Sequence, residues 1–138
     1  MQKFEWSDRL AVGVPMIDTQ HRELITAINE LSEAIEQGTG TTAIKKLLTF
    51  LKYYAEWHFE NEEGCAAKHK CPIADTNAQA HAKFLDIFTK LQKEYRESGA
   101  SDEIARRAHA QLADWLVSHI MTIDTQIGQC IREAKAHA

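Results

Sequence analysis

Apolar residues in this chain return every three or four positions through four long segments, and that period leaves little choice of fold. The segments are separated by "QGTGTT" at 37–42, "KHKCPIADT" at 68–76 and "ESGASD" at 97–102, while "VGVP" at 12–15 closes an N-terminal arm. Such spacing places a stripe along one face of an α-helix. Helix A, about 18–36, carries Ile17, His21, Leu24, Ile28, Leu31 and Ile35. Helix B, about 42–66, carries Ile44, Leu48, Leu51, Ala55, His58 and Glu62. Helix C, about 76–97, shows Asn77, His81, Phe84, Phe88, Leu91 and Tyr95. Helix D, about 102–120, shows Ile104, Ala108, Leu112, Trp115 and His119, and a shorter helix at about 122–135 carries Ile127 and Ile131. Thr76 and Ser101 are the expected N-caps of C and D. No alternating pattern is long enough for a strand. Four helices of similar length on short loops predict an all-α, antiparallel up-down-up-down four-helix bundle with an N-terminal arm and a short C-terminal helix.

Each stripe contains a histidine, and the four share one height. His21, His58, His81 and His119 stand 15, 16, 16 and 17 residues from the far ends of their helices. At about 1.5 Å per residue they fall within roughly one helical turn of each other. Glu62 follows His58 by four residues and so shares its face; Glu62 and Asn77 lie one turn further toward the same end of the bundle. A single histidine on an apolar stripe is most often a core residue bonded to a backbone carbonyl. Four in one layer with a carboxylate are different, because uncompensated buried polar groups cost several kcal/mol. Imidazoles and carboxylates converging inside a bundle are what a metal requires. A carboxylate such as Glu62 can bridge, which favours two metals. Asp124 follows His119 by five residues, about 140° away on an ideal helix. It joins the layer only if the helix kinks, bulges or restarts, as helices do preferentially at functional sites.

Composition narrows the setting. With 138 residues, 44% hydrophobic and 26% charged, the chain reads as one globular domain. A net charge of −4 without a basic run argues against nucleic acid or an acidic membrane as partner. "MQKFEWSDRL" has no apolar signal core, and nothing approaches the ~18 apolar residues of a membrane span. Three cysteines, an odd number, do not make a disulfide framework. The expectation is a soluble, cytoplasmic protein.

These residues resemble the hemerythrins and their bacterial relatives, the bacteriohemerythrins. That family shows a tryptophan-containing arm, "D-x-x-H" opening helix A, "H-F-x-x-E-E" closing B, "H-x-x-x-H-x-x-F" opening C and "W-L-x-x-H-I-x-x-x-D" ending D. Here they read "FEW" at 4–6, "DTQH" at 18–21, "HFENEE" at 58–63, "NAQAHAKF" at 77–84 and "WLVSHIMTID" at 115–124. The resemblance spans nearly the whole chain. It implies a non-haem di-iron centre with an oxo or hydroxo bridge and O₂ as ligand. By position, His21 and His58 would hold one iron and His81 and His119 the other, with Glu62 and Asp124 bridging. Leu24, Phe59, Trp115, Leu116 and Ile120 would form the apolar wall over the O₂ position, though all five would be core in any bundle.

One position departs from the pattern. Where the family has the first histidine of "H-x-x-x-H", this chain has Asn77, so the usual five histidines are one short. An amide oxygen is a weaker ligand for iron than imidazole, its shorter side chain need not reach, and water could fill the gap. The expected function is therefore a di-iron domain, residues 1–138, that binds O₂ and switches redox state as an oxygen or redox sensor rather than a simple store, and not an enzyme. Two rivals remain: a di-iron oxidoreductase acting on peroxide or nitric oxide, and a metal-free interaction bundle. Family domains often stand at the N-terminus of larger signalling proteins, so a C-terminal output domain or signalling partner fits the resemblance. "C-x-x-x-H-x-C" at Cys65, His69 and Cys71 lacks an evident fourth ligand for zinc and reads as a solvated loop. Cys130 reads as a small apolar core residue, and His109 and His137 fall off the stripes.

Overall fold

The computed structural model describes residues 3–99 and 101–136. Its elements follow the sequence breaks: α1 (Pro15–Glu36), α2 (Gly40–Lys68), α3 (Ala74–Ser98), α4 (Asp102–His119), a π-helical turn (Ile120–Asp124) and α5 (Thr125–Ala136). The architecture is the expected four-helix bundle with an arm and a short final helix. Among the described residues no helix is long and apolar enough to cross a membrane.

Local chemistry sets the helix ends. α1 starts at Pro15, a first-turn position where the missing N–H would be unused anyway. Asp18 accepts hydrogen bonds from Val12 N–H at 2.7 Å and Gly13 N–H at 3.2 Å, fastening the arm to the helix start. α1 ends in a Schellman turn, with Thr39 N–H on Ala34 O and Gly38 N–H on Ile35 O. Gly38 holds the φ of +80° that this turn needs. Ser101 caps α4 as expected, its Oγ accepting from Ile104 N–H at 3.1 Å. Thr76 does not cap α3. That helix starts at Ala74 with Ile73 as its cap residue and no side-chain cap bond, so Thr76 is an exposed residue of the first turn.

Packing puts the stripes inside. α1 lies against α2 and α4, α3 against the same two, and α2 also meets α4 across the core. Ala55 on α2 and Ala105 and Ala108 on α4 are fully buried, and such small side chains let helices approach closely. Every stripe residue expected inside is buried except Tyr95 and Trp115, which are half-buried. The arm is pinned to α1 by a reciprocal pair: Phe4 N–H donates to Asn29 Oδ1 at 2.9 Å, and Asn29 Nδ2 donates to Phe4 O at 2.7 Å. α5 closes over the arm. A Cβ on Gly128 would collide with the Val12 carbonyl, and the Arg132 guanidinium donates to that same oxygen.

Three sequence expectations are corrected here. Cys71 and Cys130, 59 residues apart, form a disulfide with Cα atoms 5.8 Å apart, so the odd count conceals one bridge. Cys71 is buried rather than in a solvated loop, Cys130 is half-buried and covalently paired, and Cys65 keeps a free thiol. The Cys65–His69–Cys71 run therefore offers no pair of thiolates to zinc in this state. His109 is buried on α4 although it lies off the stripe. His137 lies outside the described residues.

Candidate metal centre

Seven side chains from four helices and the π turn meet at one level of the bundle. α1 supplies His21, α2 His58 and Glu62, α3 Asn77 and His81, α4 His119, and the π turn Asp124; all are buried. The π turn is what brings Asp124 in. An i to i+5 turn carries one residue more than an α turn, so Asp124 returns to the face of His119 rather than pointing about 140° away.

The two carboxylates each face both pairs of histidines. Glu62 Oε2 lies 3.4 Å from His21 Nε2 and 3.5 Å from His58 Nε2, while its Oε1 lies 3.2 Å from His81 Nε2. Asp124 Oδ2 lies 3.1 Å from His21 Nε2, and its Oδ1 lies 3.0 Å from His119 Nε2. His81 and His119 bring their Nε2 atoms to 3.1 Å, and Asn77 Oδ1 stands 3.0 Å from His119 Nε2. The donors form two groups that share Glu62: His21, His58 and Glu62, and Glu62, His81, His119 and Asp124, with ligand atoms in each within 4.8 Å of one another.

These spacings fit cations. Bonds of about 2.1 Å to a first-row metal place adjacent donors about 3.0 Å apart in an octahedron and about 3.4 Å in a tetrahedron. Hydrogen bonding accounts for only part of the cluster, the contacts of His119 with Asn77 and His81. His21 Nε2, both Glu62 oxygens, Asp124 Oδ1 and Asn77 Nδ2 are buried without a partner in hydrogen-bonding geometry, although four of those five atoms lie within 3.5 Å of opposite polarity. Buried polar atoms left so are rare and call for an occupant.

Electrostatics point the same way. Burial opposes a charge on His21, yet Asp124 and then Glu62 outweigh it and raise its pKa to about 9. A place between two buried carboxylates favours positive charge. Burial, reinforced by His21, holds His58 down to about 3 against the pull of Glu62, so its ring is neutral at pH 7. His81 is raised, Glu62 and Glu63 overcoming burial. Asp124 stays below the usual carboxylate range because His119 and His21 outweigh its burial.

A second ring of contacts orients the donors. Gln20 Oε1 lies 2.5 Å from His58 Nδ1, and Glu63 Oε2 lies 3.1 Å from His81 Nδ1. An Nδ1–H donated outward leaves the Nε2 lone pair facing the site. Sequence reasoning missed both residues. Each stands beside a site residue, Gln20 before His21 and Glu63 after Glu62, and that adjacency was the available signal. Phe59 stacks on His81 at 3.9 Å between centroids, and Trp115 stacks on His119 at 4.5 Å. Leu24, Leu116 and Ile120 are buried, whereas Trp115 is half-buried.

Known proteins are similar to this chain over most of its length. Residues 12–131 match the hemerythrin HHE cation binding domain. A bacteriohemerythrin of Pseudomonas aeruginosa is 29% identical over 138 residues, covering 97% of this chain and 85% of the relative. One from Stenotrophomonas maltophilia is 29% identical over 96% of this chain and 82% of its own length. A third, from Methylococcus capsulatus, is 28% identical over 86% of this chain and 88% of its own. With the bundle, the layer of donors and the match over residues 12–131 in agreement, this chain belongs to the hemerythrin HHE cation-binding family.

Proposed function

We propose that residues 1–138 form one di-iron domain that binds O₂ and changes redox state, working as an oxygen or redox sensor rather than a store. The observation that carries this reading is the sharing of Glu62 and Asp124 between two histidine pairs, which suits two cations held side by side. His21 and His58 would hold one, His81 and His119 the other, and Asn77 Oδ1 faces the second. Two irons so held, with the oxo or hydroxo bridge that the family resemblance implies, would supply two-electron redox chemistry toward O₂.

The chain's own residues prepare that chemistry. Gln20 and Glu63 fix ring orientation at His58 and His81. Phe59 and Trp115 cover the imidazoles of His81 and His119, and with Leu24, Leu116 and Ile120 they would keep water from the O₂ position. Asn77 supports the sensor over the store. An amide oxygen in place of a third imidazole binds iron less firmly, which favours a quick, lasting oxidation over the slow oxidation a carrier needs. Binder rather than enzyme, with a C-terminal output domain or signalling partner as recipient, completes the proposal.

Anaerobic loading with ferrous iron, followed by air, tests it. Two irons per chain and a new optical absorption on exposure to air are expected. Fewer than two irons, or an unchanged spectrum, would reject the reading. Steady turnover of peroxide or nitric oxide with an electron donor would move it to the oxidoreductase class.

A further inference from the structure

Asn77 is not needed by its helix. Its backbone N–H joins the regular ladder through Ile73 O at 2.9 Å, and α3 starts three residues earlier, so the side chain does no capping. It is nevertheless fully buried and turned into the donor layer. Its Oδ1 stands 3.0 Å from His119 Nε2, within the 3.0–3.5 Å range that separates the other donor pairs. Its Nδ2 is buried with no hydrogen-bond partner, so no polar contact of that nitrogen competes for the amide's orientation.

The two halves of the site therefore differ in kind. Around the His21/His58 position stand two imidazole nitrogens, Glu62 Oε2 and Asp124 Oδ2. Around the His81/His119 position stand two imidazole nitrogens and three oxygens: Glu62 Oε1, Asp124 Oδ1 and Asn77 Oδ1. Imidazole suits iron, whereas carboxylate and carbonyl oxygens suit manganese, and the lead of Fe²⁺ over Mn²⁺ narrows as oxygen replaces nitrogen. We infer that Asn77 is a metal-selecting residue: it opens the His81/His119 position to Mn²⁺, so that the chain can hold a mixed manganese–iron pair. This rests on the proposed two-metal site.

Competition loading tests it with metal content as the readout. The full chain, stripped by a chelator, receives equal Mn²⁺ and Fe²⁺ without air, and bound metals are counted by mass spectrometry. A parallel sample receives Fe²⁺ alone. The parent should take up both metals, and Asn77→His should lower its Mn:Fe ratio about tenfold, at the low end of what a changed metal environment does to affinity. Asn77→Asp, which keeps an oxygen at the same place, should retain manganese and guards against a misfolded histidine variant. Equal Mn:Fe ratios in the parent and in Asn77→His, or a parent that excludes manganese while binding two irons, would overturn the inference. Failure to bind two irons in the parallel sample would instead overturn the two-metal site, and the inference with it.

Discussion

Glu62 sends Oε2 toward His21 and His58 and Oε1 toward His81, so truncating it removes a donor from both halves at once. Glu62→Ala should hold fewer than two irons per chain while keeping its helical circular dichroism, because the apolar stripes carry most of the buried area. Two irons retained would contradict the bridging role. Gln20→Ala should leave every donor in place but free the His58 ring. Iron affinity should then fall about tenfold in competition with a chelator, as for other outer partners of metal-bound histidines; an unchanged affinity would remove Gln20 from the site. At this scale the histidines were readable because each interrupts an apolar stripe of its own helix. Gln20 and Glu63 were not, since their bonds to His58 and His81 span 38 and 18 residues and no periodicity encodes them.

Elements show how far a stripe predicts the structure built on it. Helix existence followed from the period, but boundaries moved where capping chemistry differed from expectation. Ser101→Ala should cost about 1 kcal/mol in urea unfolding, because Ile104 N–H loses its acceptor. Thr76→Ala should cost almost nothing, since Thr76 lies exposed within α3 and caps nothing. Equal losses would place the start of α3 wrongly. Gly128→Ala should lower stability by about 1–3 kcal/mol, the methyl group driving α5 off the Val12 carbonyl; an unchanged melting temperature would mean that α5 does not sit on the arm. The π turn was legible only as a condition. Five residues between His119 and Asp124 required an irregular helix if Asp124 was to join, and the spacing alone could not say that it did.

Across the whole molecule, short loops fixed the order of the helices, and the disulfide escaped notice for a physical reason. Cys71 and Cys130 are 59 residues apart, and pairing over that distance depends on where α5 folds back, which no local pattern reports. Opening the bridge should lower stability by up to about 4 kcal/mol on the loop-entropy estimate for a closure of 59 residues. Urea unfolding with and without a thiol reductant measures this. A matched thiol count should find one reactive cysteine before reduction and three after; three before reduction would mean that the bridge does not form. The cytoplasmic setting expected from the sequence bears on the same pair, because cytosolic thiols are kept reduced. Alkylation of living cells before lysis would show which state operates there.

The bridge also divides the chain in a way the helices do not. Residues 71–130 make a covalent ring that contains Asn77, His81, His119 and Asp124, while His21, His58 and Glu62 lie on the open tail that precedes it. One half of the donor layer thus stays confined within a closed circle even in the denatured chain, and the other half must thread back to meet it. A single protease cut within that circle would break the backbone without parting the molecule. On a gel the nicked protein would run at full mass until a reductant was added.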